Sequence, residues 1–176
     1  MEPDPRAYDM LAANVALNPA VAAKTHLHRL CLSSHAVTLS FKGAGESGST
    51  SLEGVHSDSI PTFPARCVPL HWLLEHHRVP KRGWSLWKLD TEGAESDIFP
   101  ASIPVLEEYG WPIVHLSLHT PYWKDNPTVR VALLEAMQRF KYVYDGRLKL
   151  VPTLTEEHVK GFVEYTLSQT PLQFEN

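Results

Sequence analysis

Trp84-Ser85-Leu86-Trp87-Lys88-Leu89-Asp90-Thr91-Glu92-Gly93-Ala94-Glu95 is the stretch on which the reading of this 176-residue chain turns. Its first half is a short, compact run of apolar residues that suits a parallel strand buried on both faces. The run stops at a carboxylate, and Thr91-Glu92-Gly93 then supplies a tight turn into a helix, with Gly93 freeing the backbone. A strand that ends in Asp and turns directly into a helix is half of a parallel crossover. Open α/β sheets place their ligands outside such carboxyl ends.

Downstream, Ile113 to Leu118 reads as a second buried strand, entered through Trp111-Pro112. It leads to His119, so two neighbouring strands are expected to deliver Asp90 and His119 to one edge. Asn126 and Pro127 cap and open a helix whose Val129, Leu133, Ala136, Met137 and Phe140 share a face. Lys141 to Tyr144, Asp145-Gly146 and Arg147 to Val151 predict a β-hairpin with a type I′ turn. Thr155 is expected to cap a final helix, stapled by Leu154 and Val159 and continued by Phe162, Val163 and Thr166. Toward the other end, Asp4 and Pro5 open a helix over residues 5–17 with Tyr8, Leu11, Ala12 and Val15 on one stripe. Asn18-Pro19 ends it. Strands are expected at Leu27 to Leu32 and across Val37, Leu39 and Phe41, followed by a Gly- and Ser-rich loop over 43–59 and a short helix from Pro69 to His77. Alternating helices and strands define an α/β fold, expected as a single domain over residues 1–176.

Bulk composition narrows the partners. An apolar share of 43% supports a core, and a formal charge of -4 with scattered Lys and Arg argues against a nucleic-acid surface. No apolar run reaches the length of a membrane span, and the acidic start Met1-Glu2-Pro3-Asp4 is unlike a secretory signal. Cys31 and Cys67 are the two cysteines, read as small hydrophobes in a reducing, cytoplasmic setting.

Three segments then carry a family resemblance. Glu2-Pro3-Asp4-Pro5, followed by Leu11, Asn14 and Asn18, resembles an E-P-x-P turn with an L-x-x-N-x-x-x-N helix. Val68-Pro69-Leu70-His71-Trp72-Leu73-Leu74 resembles v-x-L-D-D-L-L. Lys88-Leu89-Asp90-Thr91-Glu92-Gly93-Ala94-Glu95 nearly matches K-[IL]-D-x-E-G-x-E. In that order they are similar to class I, S-adenosylmethionine-dependent methyltransferases of the FkbM type. The resemblance implies a Rossmann-like, mostly parallel sheet with a C-terminal antiparallel hairpin. It also implies O-methylation of a hydroxyl on a sugar, lipid or polyketide-like small molecule. It further implies a first strand and a glycine-rich loop, D-x-G-A-N-x-G, that these residues do not contain. Gly43, Gly45 and Gly48 follow the third strand and do not replace that loop. The stretch is therefore expected to be a fragment of the enzyme, or else a catalytically inactive scaffold built on the same fold.

Site roles follow from both sources. The resemblance places Glu2 on the cofactor ribose, although a carboxylate there also suits the dipole of the next helix. Ser34 stands near the position where the family holds the adenine amine with an aspartate. Asp90 is expected at the cofactor amino group, at a substrate hydroxyl or at a metal. His119 is placed to act as general base or to be a loop histidine with a satisfied ring. Glu92 is a substrate contact or a helix-dipole partner. Ser117 occupies a strand position where the family often has glutamate, and is also taken as a substrate contact. Glu95 is expected on a solvated helix face. His115 and His119 share a strand face, but two histidines without a third ligand make a weak metal site, so no metal is expected.

Overall fold

The computed structural model describes residues 1–42, 51–52, 62–81, 86–123 and 126–173. The chain is mixed α/β, with two four-stranded sheets and five α-helices among the described residues. They divide into two compact units, Met1–Val68 and Pro69–Asn176.

The first unit opens with helix α1 (Pro5–Ala16). Asp4 caps it by accepting from the Arg6 and Ala7 amides, and Pro5 takes the first position, where its missing N–H costs nothing. The stripe Tyr8, Leu11, Ala12 and Val15 is half-buried. After Asn18 a short second helix, α2 (Pro19–Ala22), follows. The sheet has the order β1-β4-β2-β3, with β1 Cys31–Leu32, β2 Val37–Lys42, β3 Ser51–Leu52 and β4 Thr62–Val68. Strand β1 is thus much shorter than the Leu27 to Leu32 run suggests. β4 runs parallel to β1 and antiparallel to β2. The expected 43–59 loop lies outside the described residues, apart from Ser51 and Leu52, which pair with β2.

Cys31 faces Cys67 across the β1/β4 pair, and the two form a disulfide. This corrects the reading of the cysteines as free hydrophobes. They are still core residues, packed with Phe41 and Ala65, but their place in register is fixed by pairing that links residues 36 positions apart.

In the second unit, α3 (Leu70–His76) precedes the sheet, whose order is β5-β6-β8-β7. Strand β5 (Leu86–Leu89) runs parallel to β6 (Ile113–His119). β8 (Phe162–Ser168) is antiparallel to both β6 and β7 (Tyr142–Asp145). Helices α4 (Glu95–Glu108) and α5 (Pro127–Gln138) bury Ile98, Phe99, Leu106, Leu133 and Met137, while the strands bury Leu89, Val114, Leu116, Leu118 and Leu167. Each such side chain taken from water contributes roughly 1.5–3 kcal/mol before conformational entropy is set against it. β5 is covered on one face only: Trp87 and Leu89 are buried, Leu86 and Lys88 exposed. It is therefore not the doubly buried strand expected.

Two further expectations are corrected here. The segment after Thr155 forms a single 3-10 turn, Glu156–Val159, and not a long helix. Gly161, at φ 78°, breaks the turn, and the β-branched and aromatic residues that follow then alternate in burial as strand β8. The turn at Asp145-Gly146 is not closed by a left-handed glycine. Asp145 Oδ1 accepts the Arg147 and Lys149 amides at 2.9 Å, and Leu148 takes the left-handed conformation. The returning arm makes one bridge, Tyr144–Leu150, so the antiparallel partner of β7 is β8.

Candidate functional site

Parallel pairing of Leu86–Leu89 with Ile113–Leu116 brings the carboxyl ends of β5 and β6 to the same edge. Asp90 follows directly on β5, and β6 continues to His119. Past Asp90 the backbone takes positive φ at Glu92 (52°) and Gly93 (107°). A side chain at 93 would place its Cβ 2.8 Å from Cβ of Tyr122, so only glycine lets this turn pack against the segment after β6. Glu92, which is not a glycine, carries real backbone strain at the site.

That turn delivers Glu95 to the interior, where its side chain is fully buried. Its carboxylate accepts four hydrogen bonds. Oε2 takes the Gly93 amide (2.8 Å) and the Thr91 hydroxyl (3.0 Å); Oε1 takes the His119 amide and His119 Nδ1 (2.9 Å). The expectation of a solvated helix face is overturned, because only this set of donors offsets the cost of burying the group. An ionised carboxylate can only accept, so Nδ1 carries the proton and the lone pair of neutral His119 lies on Nε2.

Nε2 points toward two carboxylates, 3.7 Å from Asp90 Oδ1 and 4.0 Å from Glu92 Oε2, both beyond direct hydrogen-bond distance. Asp90 is also paired with Lys88 at 3.0 Å. The Tyr122 ring lies parallel to the imidazole at 6.0 Å, and Phe162 meets it edge-on at 5.7 Å. Asp90, Glu92, Ser117, His119, Phe162 and Glu164 are among the residues that line an open cleft of about 490 Å³. Ser117 is 5% exposed, and its hydroxyl has no hydrogen-bond partner among the described residues. Among those residues no group of three or more His, Cys, Asp or Glu is placed to hold a metal ion.

Asp90, Glu92, Ser117 and His119 are therefore brought together. Glu2 and Ser34 belong to the first unit. There Glu2 Oε1 accepts the Asp4 amide at 2.8 Å, and burial raises its carboxyl above the ordinary value, with the Asp4 amide opposing. Ser34 Oγ lies 3.0 Å from His35 Nδ1. Sequence reasoning missed Glu95, Tyr122, Phe162 and Glu164 as parts of the site. For Glu95 the local signals were its place four residues after Thr91 and its place at the end of the K-L-D-T-E-G-A-E segment, while its decisive partner is 24 residues away. No family model, curated protein or solved structure matches the chain.

Proposed function

We propose that the second unit carries the catalytic part of an S-adenosylmethionine-dependent O-methyltransferase in which His119 is the general base. The observation that carries this reading is the buried Glu95–His119 pair. It fixes one imidazole nitrogen as a donor and turns the basic one into a cleft edged by Asp90 and Glu92. Further support comes from the K-L-D-T-E-G-A-E resemblance, whose residues build this turn, and from parallel β5 and β6 followed by antiparallel strands.

The cofactor is cationic at its sulfonium and ammonium groups. A cleft bordered by carboxylates fits such charge, and Asp90 would hold the ammonium. When bound, the cofactor supplies an electrophilic methyl group. The chain's own residues supply the rest. Nε2 accepts the proton of the acceptor hydroxyl as that oxygen becomes nucleophilic, a contribution of order 10²–10⁴ in rate. The resulting imidazolium is stabilised by Glu95 at Nδ1 and by Asp90 and Glu92 nearby. Tyr122 and Phe162 limit tilting of the ring, which preserves the reactive geometry. Glu2 and Ser34 enter only through the resemblance.

Calorimetric titration of the native protein with S-adenosylhomocysteine tests the reading. Binding is expected, weakened at least about tenfold by Asp90→Ala, the scale of one lost charge-assisted hydrogen bond. An absence of binding heat would refute it and favour a catalytically inactive scaffold.

A further inference from the structure

The register of the second sheet builds a feature that proton transfer does not use. Leu89 pairs with Leu116, so Asp90 lies level with Ser117, and Ser117 faces Glu164 across β6 and β8. One row across the sheet therefore reads carboxylate, hydroxyl, carboxylate, on strands about 4.8 Å apart. The next row holds His119 opposite Phe162. The middle of the first row is the unsatisfied group: the buried Ser117 hydroxyl has no partner among the described residues, a condition that a bound ligand would relieve.

The ligand's charge follows from the walls. Asp90, Glu92 and Glu164 line the cleft, and among the described residues no Lys or Arg does. Lys88 is paired with Asp90, which leaves Glu164 without a counter-charge from that lysine. Concentrated like charge in a concave site favours a cation. Phe162, 65% exposed at the rim, offers an aromatic face that attracts one. A neutral polyol would satisfy Ser117 but leave the charge of Glu164 unanswered. An ammonium, with three donors, answers both.

We propose that the acceptor is a hydroxylated primary amine, its ammonium seated at Glu164 and Ser117 and its hydroxyl directed to His119 Nε2. The hydroxyl's role rests on the methyl-transfer reading, whereas the preference for an amine is a property of the cleft alone. The test is titration of the native protein, without cofactor, with glucosamine, glucose and N-acetylglucosamine under mildly acidic conditions. The three probes share their hydroxyls, and only glucosamine carries an ammonium. Glucosamine is expected to bind at least about tenfold more tightly than the other two, with a preference that shrinks as salt is raised. Glu164→Gln, at an exposed position whose folding circular dichroism checks, is expected to abolish the preference. Equal affinities, no binding of any probe, or a preference that survives Glu164→Gln would each overturn the proposal. Selective glucosamine binding by a native protein that transfers no methyl group would support the amine site and overturn the reaction.

Discussion

Replacing Glu95 with alanine tests the connection between the site and the stability of the unit that carries it. The carboxylate is fully buried and accepts two backbone amides, of Gly93 and His119, besides the Thr91 hydroxyl and His119 Nδ1. The hydroxyl of Thr91 can turn to another acceptor, but the two amides are fixed by the turn and by the end of β6. Each donor left without a partner costs about 1–3 kcal/mol, so two of them give about 2–6 kcal/mol. We therefore expect Glu95→Ala to destabilise the protein by about 4 kcal/mol, a large part of an ordinary domain's stability of roughly 5–15 kcal/mol. Glu95→Gln keeps one carbonyl acceptor and sets an amide against the remaining donors, so its loss is expected to be about half as large. Urea unfolding followed by tryptophan fluorescence measures both, with the exposed Glu157→Ala as a control expected to leave the midpoint in place. The imidazole Nδ1 proton resonance of His119 gives an independent readout and is expected to disappear in Glu95→Ala. A Glu95→Ala protein as stable as wild type, with that resonance retained, would refute the reasoning.

Two further outcomes follow from the first unit. The Cys31–Cys67 bridge closes a loop with a sequence separation of 36, for which chain entropy gives about 4 kcal/mol of stabilisation. Reduction, or Cys67→Ser, is expected to lower the unfolding midpoint of this unit accordingly, and two titratable thiols in the unreduced, denatured protein would contradict the bridge. Glu2, whose carboxyl burial raises above its unfolded value of 4.5, has the opposite sign from a salt-bridged acid. Its contribution is fully present below that unfolded value and is lost as pH rises through the higher folded one. Unfolding measured between about pH 4 and 6 is therefore expected to show a decline in stability that Glu2→Gln flattens. Identical pH profiles for the two proteins would count against this.

Elements specified by neighbours in sequence were legible, and those specified by distant partners were not. Asp4 and Asn126 cap their helices through amides two or three residues away, and the stripe of α5 is periodic, so both helices could be read directly. The edge formed by β5 and β6 followed from two apolar runs of strand length. Strand β4 escaped because a proline inside the run, Pro64, argues against a strand, and its order comes from β1 and β2 on either side. β8 was mistaken for a helix because Thr155 and His158 do form a capping box, a true local signal that governs only one turn. In the site, Asp90, Glu92 and His119 stood out as polar ends of apolar runs. The residue that orders them, Glu95, looked like any charged residue in a first helical turn. Its burial depends on a contact with β6 that the sequence separates from it by a whole helix.

The most direct test is transfer of a labelled methyl group from S-adenosylmethionine to a hydroxylated acceptor by the native protein, compared with its His119→Ala variant. The expected result is transfer by the wild type, with a rate lowered about 10²–10⁴-fold in the variant while its affinity for S-adenosylhomocysteine is preserved. Equal rates in the two proteins, or no transfer by the wild type to any hydroxyl, would contradict the role assigned to His119.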